Sequence, residues 1–318
     1  MSRVLITGIA GTVGRLLAKR LHLDHEVIGL DRRNLPGKPK DIRVYPYDIR
    51  RKRCESIFRN HRIDAVFHLN VMHDFYRPQA ELHSFNVGGS QRILECAARY
   101  GVRKVVFLST ANVYGARPDN PQFLTEESLL LAGETFSAMR SLVTADMLVT
   151  SFFWKNPEIE TVILRPCHIV GTVRNGPTYY LSLPQIPTVL GFDPMIQLMH
   201  EEETIDALVA AIQPGRRGVY NVAGPPPATL SSIVRYLGKT RIPLPHFALQ
   251  ALTEAAWDFG VTRVPPPEFD FLRYQCVVDD ARCRQELGFT PRLSLSETLD
   301  LLKRSPTYLS RSRPTLKP

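Results

Sequence analysis

The chain has 318 residues, 44% hydrophobic and 22% charged, which excludes a disordered low-complexity protein and supplies apolar material for a large self-sufficient core. The net charge of +9 does not mark a nucleic-acid binder: the segment from Lys303 onward supplies five of those charges, and the internal run Arg50-Arg51-Lys52-Arg53 has no interleaved aromatics. No stretch reaches the ~20 apolar residues of a membrane span, and the cysteines (Cys54, Cys96, Cys167, Cys276, Cys283) are odd in number with no metal-ligand spacing, so reduced thiols in a cytoplasmic protein without a metal site are expected.

A strand-like run begins at once, so no secretory leader is expected. Short β-branched runs follow at Val4–Thr7, Val27–Leu30, Val44–Tyr47, Ala65–Leu69, Val105–Ser109 and Thr161–Arg165. Helical stretches alternate with them; between the first two strands Val13, Leu16, Leu17 and Leu21 fall on one face. Such alternation requires right-handed crossovers and a parallel sheet covered on both faces, the doubly wound α/β class. Residues 1–170 read as this dinucleotide-binding Rossmann domain. Prolines then thicken and helices shorten, so residues 171–302 read as a smaller substrate lobe interleaved with the first. Leu230, Ile233, Val234 and Leu237 mark one helix there, and the Ser294/Glu297 capping box opens another. Phe247–Phe259 reads as an amphipathic core helix or the wall of an apolar pocket. Residues 303–318 read as a basic Ser/Arg/Pro tail on the surface.

Thr7-Gly8-Ile9-Ala10-Gly11-Thr12-Val13-Gly14 stands where the first strand must turn into the first helix. Gly8, Gly11 and Gly14 allow a tight turn, close approach to a pyrophosphate, and packing of helix on strand. The helix N-terminus offers N–H groups and partial positive charge to the phosphates. Asp31, at the end of the second strand, is placed to accept from both ribose hydroxyls and to repel a 2′-phosphate, which favours NAD. Arg32 and Arg33 follow and leave NADP as the lesser alternative.

Further motifs occur in order along the chain. The glycine spacing resembles the T-G-x-x-G-x-x-G of extended short-chain dehydrogenases/reductases. Asp48-Ile49-Arg50 resembles that family's adenine-contacting segment, and His68-Leu69-Asn70 its H-L-A-A. Asn86-Val87-Gly88-Gly89-Ser90 resembles N-V-x-G-T, Ser109-Thr110-Ala111-Asn112-Val113-Tyr114-Gly115 resembles S-S-x-x-V-Y-G, and Leu164-Arg165-Pro166 resembles L-R-P. Asp279-Asp280-Ala281-Arg282 and Glu286-Leu287-Gly288-Phe289-Thr290-Pro291 resemble the closing signature of NAD-dependent epimerase/dehydratases. The resemblance implies cofactor contacts at Gly8, Gly11, Gly14, Asp31, Arg32, Asp48, Ile49, Leu69, Asn86, Arg165 and Pro166, and a substrate-facing hydroxyl at Thr110. From the residues alone, His68 reads as a packed strand-end histidine, while Asn86 is equally a helix cap.

The family's tyrosine and lysine, which relay the proton and hold the nicotinamide ribose, have no counterpart: no tyrosine lies between Tyr114 and Tyr179, and no lysine between Lys104 and Lys155. One register places Phe136 and Arg140 at the two positions; anchoring Asp146 on the family's following acid gives Ala138 and Leu142 instead. Neither restores a relay. His73, Asp74, Tyr76 and His168 are possible surrogate proton donors, each more simply read as a loop residue. Met199–Asp206 is acidic where an arginine often precedes in sugar-nucleotide members, with Arg273, Arg216 and Arg217 as possible substitutes. The resemblance thus implies an NAD(P)-dependent oxidoreductase of epimerase/dehydratase type, acting on a small molecule such as a nucleotide sugar, and a homodimer through helices near Asn86–Tyr100 and Thr135–Ser151. A catalytically silent NAD-binding sensor and a reductase of a hydrophobic alcohol or ketone are the alternatives.

Overall fold

The computed structural model describes residues 2–260 and 265–312, with Pro267, Arg311 and Ser312 described in backbone only. Strands β1 (Arg3–Thr7), β2 (Glu26–Leu30), β3 (Arg43–Tyr45), β4 (Ala65–His68), β5 (Lys104–Leu108) and β6 (Glu160–Pro166) join the edge strand Gly218–Val222 in one sheet. The order is edge strand, β6, β5, β4, β1, β2, β3, and every pairing is parallel. The winding reverses between β1 and β4, which opens a crevice at the carboxyl ends of those strands. Successive side chains of each strand enter opposite cores: Leu5, Val66 and Ile163 pack with Ile93 and Phe152 on one face, while Ile6, Phe67 and Leu164 pack with Leu17 and Leu208 on the other.

The helix Thr12–Leu21 buries Gly14, Leu17, Ala18 and Leu21, as its spacing requires. Residues Gln79–Arg99 form one helical run with a π-turn at Ser84–Gly88. Asn86 therefore lies inside a helix and does not cap one. The next long helix spans Arg140–Lys155, starting later than expected because Phe136 holds an extended ψ of 98° before a single 3₁₀ turn.

The second lobe has its own core, built from Tyr180, Ile186, Leu198, Leu230, Ile233 and Leu302. Helices Leu230–Tyr236 and Leu295–Arg304 form as expected, the latter with its Ser294/Glu297 capping box intact. Of the expected basic tail, Lys303 and Arg304 close that helix, and Pro306–Ser312 forms another that buries Tyr308; the remaining tail lies outside the described residues. The helix His246–Asp258 buries only Leu249 and Thr253 and leaves Phe247 and Leu252 exposed, so it is less a core helix than its apolar content suggests. No helix among the described residues is long and apolar enough to cross a membrane. All five cysteines are buried and free.

Candidate dinucleotide site

Gly8 has φ +77°, a conformation glycine adopts without strain, and a Cβ there would meet the Asn70 backbone at 3.0 Å. At Gly14 a Cβ would lie 2.3 Å from the Gly8 carbonyl oxygen and 2.8 Å from Ile9 Cα. Any side chain at either position would push the turn off β4 or the helix off the turn. The helix consequently presents its N-terminus to the crevice, with the Arg33 guanidinium 3.8 Å from where a Cβ on Gly11 would stand.

Asp31 closes the ribose end and is almost fully buried. Its carboxylate accepts from the Ala10 N–H at 3.1 Å, the Arg33 N–H at 2.9 Å, and the Arg33 guanidinium at 3.1 and 3.0 Å. The basic partner at this position is therefore Arg33, whereas Arg32 lies over the Phe85 ring, 5.6 Å from its centroid. Arg50 lies over the same ring at 5.5 Å and pairs with Asp48 at 2.6 Å. That pairing holds the Asp48 carboxyl below the usual carboxylate range. Ile49 is buried and packs against Gly89, where a Cβ would stand 2.4 Å from its Cδ1. Leu69 continues β4, its N–H donating to the Thr7 carbonyl at 3.2 Å.

Two expected residues are consumed in holding the scaffold. Asn86 clamps the loop after β4: its Oδ1 accepts from the Met72 N–H at 2.7 Å, and its Nδ2 donates to Met72 O and Ser141 Oγ, both at 3.0 Å. Arg165 donates to Asp146 at 3.0 and 2.6 Å, to the Tyr114 hydroxyl at 2.9 Å, and to the Glu126 carbonyl at 3.1 Å. Both members of the Asp146–Arg165 pair are buried, and four of the five guanidinium N–H donors are engaged within the protein. Pro166 ends β6 in register with Val222. His68 is fully buried between Thr7 Oγ1 at 2.6 Å and Ser90 Oγ at 2.8 Å, and burial pushes it down to about 4. It is a packed strand-end histidine.

Thr110 follows β5 at the crevice and caps the 3₁₀ turn Ala111–Val113, accepting from the Asn112 N–H at 3.2 Å. Ser109 donates to Asp146 at 2.5 Å. Asp146 thus pins one face of the Arg140–Lys155 helix to the ends of β5 and β6. One turn earlier on that face stands buried Leu142, packed with Val113, and one turn before it Ala138. Phe136 precedes the helix and packs on Phe75 at 4.8 Å between centroids, and Arg140 is exposed, donating to the Gly133 carbonyl at 3.0 Å.

Of the surrogate donors, His73 and Asp74 are exposed, the latter 3.3 Å from Arg77, and Tyr76 stacks on Trp257 across the two lobes at 3.8 Å and 5°. His168 enters a pocket at the ends of β5 and β6 that the sequence did not reveal. Its other lining groups include Asn112, Tyr180, Ile196, Glu268 and Phe271. A half-buried acid that lines a pocket, such as Glu268, leaves no mark in sequence that distinguishes it from a surface acid. None of the three candidate arginines lines this pocket. Arg216 donates to the Glu286 carbonyl and Arg217 to the Phe153 carbonyl, next to the amino end of the edge strand. Arg273 sits against His246 at 3.1 Å and over Tyr274.

A strand-ordered 3-2-1-4-5-6 sheet, a glycine turn under a helix N-terminus, and an acid ending the second strand define a dinucleotide-binding Rossmann protein of the short-chain dehydrogenase type. The model of the NAD dependent epimerase/dehydratase family matches residues 4–223, and the chain belongs to that family. An uncharacterized Mycobacterium tuberculosis protein is 29% identical over 314 residues, covering 93% of this chain and 82% of its own. The crystal structure of Thermotoga maritima UDP-glucose 4-epimerase with UDP-glucose superimposes with TM-score 0.72 at 20% identity, over 99% of this chain and 100% of that one. Bacillus cereus UDP-glucuronic acid 4-epimerase with UDP-glucuronic acid and NAD gives 0.71 at 19%, over 95% and 99%. At these identities the two structures establish the fold.

Proposed function

We propose that the protein binds NAD in the crevice between β1 and β4 and is an oxidoreductase-type member of its family, acting on a hydroxyl or keto group of a small molecule with a proton relay unlike the family's. The family membership and the NAD-containing Bacillus cereus neighbour support the cofactor. If NAD binds there, its pyrophosphate would meet the N–H groups of the turn at Gly11 and the helix after it, and its ribose would meet Asp31 once Arg33 is displaced. NAD bound in this way supplies hydride acceptance or donation.

The observation that carries the altered relay is the pin made by Ser109, Asp146 and Arg165. It supports the register in which Ala138 and Leu142 stand at the family's tyrosine and lysine positions, beside Thr110. Neither residue exchanges a proton, and a threonine hydroxyl has too high a pKa to act alone as a base. Losing a positioned acid–base group typically costs about 10²–10⁴-fold in rate. The same observation favours a second reading, a protein that holds NAD without turnover.

Calorimetric titration with NAD and an epimerisation assay with UDP-glucose test both parts. Binding of NAD without UDP-glucose turnover is expected; robust epimerisation refutes the altered relay, and failure to bind NAD refutes the cofactor. Homodimerisation through the helices Gln79–Arg99 and Arg140–Lys155 is also proposed, since Met147 and Trp154 stand exposed two turns apart on the second.

A further inference from the structure

The pocket beneath the second lobe adjoins the Thr110 end of the crevice, because Asn112 lies in the turn that Thr110 caps and His168 follows β6. The pocket opens to solvent, and its free space of about 580 Å³ includes that open mouth. Its walls are mainly apolar, with Tyr180, Ile196 and Phe271 among them. The Tyr180 hydroxyl is already engaged, donating to the Pro187 carbonyl at 2.7 Å. That leaves Asn112, His168 and Glu268 as side chains with polar capacity to offer.

Among the described residues, no lysine or arginine lines the pocket. Glu268 instead presses a carboxyl oxygen against Gly176, where a Cβ would stand 2.2 Å away. Burial pushes Glu268 up to about 8 and His168 down to about 4, so both are neutral near pH 7. A nucleoside diphosphate brought here would carry at least two negative charges into an apolar wall with no cation among its described residues to pair them. Burying charge unpaired costs several kcal/mol even after relaxation. An uncharged ligand meets no such penalty, and a neutral carboxyl, an imidazole and an amide can each bond one hydroxyl or carbonyl.

We propose that this pocket takes an uncharged, largely apolar molecule bearing a hydroxyl or carbonyl group, and excludes nucleoside diphosphates; this rests on the oxidoreductase reading of the adjoining crevice. The probe is prodan, a neutral aromatic ketone whose emission shifts to the blue in apolar surroundings, titrated into the full chain with NAD present. One-to-one binding is expected, with displacement by decan-2-ol and none by millimolar UDP-glucose. Ile196→Arg should weaken prodan by at least about tenfold, the equivalent of ~1.4 kcal/mol, with thermal melting and NAD affinity unchanged. Phe269→Arg makes the same test should the first variant not fold. Phe247→Ser, on the exposed helix, should leave the titration unchanged.

Absence of prodan binding, its displacement by UDP-glucose, or indifference to the arginine substitutions overturns the proposal. Loss of prodan binding in Phe247→Ser does so too, since the dye would then report the surface helix. NAD failing to bind while the prodan results hold would sink the oxidoreductase reading alone.

Discussion

Asp146→Asn isolates the pin that fixes the helix Arg140–Lys155. The substitution keeps the volume and one acceptor but removes the charge opposite Arg165, whose guanidinium is 4% exposed. Two of the four hydrogen bonds that Arg165 makes go to Asp146, at 3.0 and 2.6 Å, and the Ser109 hydroxyl donates to the same carboxylate at 2.5 Å. Leaving one member of a buried pair uncompensated costs about 3–5 kcal/mol, a fifth or more of a typical domain stability of ~5–15 kcal/mol. Urea unfolding followed by circular dichroism measures it directly, provided the slope with denaturant is unchanged. Asp146→Leu with Arg165→Met should be less damaging than Asp146→Asn, because it removes both charges together, although Tyr114 and Glu126 each lose a partner. A loss below about 1 kcal/mol for the single variant, or a worse double variant, would refute the claim that charge pairing holds the helix here.

Gly14→Ala should weaken NAD by about tenfold or more, since its methyl would collide with the Gly8 carbonyl and push the helix from the phosphate position; calorimetry on the folded variant checks this. NAD should bind more tightly than NADP, and Asp31→Ala should narrow that preference; unchanged selectivity would make Asp31 a turn residue only. Light scattering at micromolar concentration should report a dimer. Glu268 keeps in the folded state a proton that the unfolded chain releases near pH ~4.3, so its own contribution to stability is greatest below that value and falls as pH rises toward about 8. Glu268→Gln should remove up to ~1.4 kcal/mol per pH unit of that slope, read from melting temperatures between pH 5 and 8. Tyr180, pushed above its usual range by burial, does not titrate in that interval; His168, at about 4 in the folded state and ~6.5 unfolded, adds an opposite slope below ~6.5 that is common to both proteins and cancels in their difference.

Periodicity located six of the seven parallel strands within a residue or two, because buried parallel strands are nearly continuous apolar runs. The seventh, Gly218–Val222, escaped: Gly218 and Asn221 interrupt it, and Asn221 belongs there because its side chain bonds the Tyr114 hydroxyl and the Leu124 carbonyl. The glycine turn and Asp31 were legible since their spacing is local. Arg165 and Asp146 were visible as motif residues, but their mutual pairing joins positions far apart in the chain. Phe136 and Arg140 illustrate the reverse case. They matched the missing dyad in side-chain type, yet the extended backbone at Phe136 starts the helix after it and turns Arg140 to solvent.

The stack of Tyr76 on Trp257 ties the loop after β4 to the second lobe. An aromatic pair of this kind contributes about 0.5–1.5 kcal/mol, so its rupture is a modest barrier that thermal motion crosses readily. The expected consequence is kinetic: if ligands pass through that side of the cleft, their residence times should shorten in Tyr76→Ala. The chain has two tryptophans, and Trp154 lies exposed on another helix, so in a Trp154→Phe background the emission of Trp257 alone would report each opening.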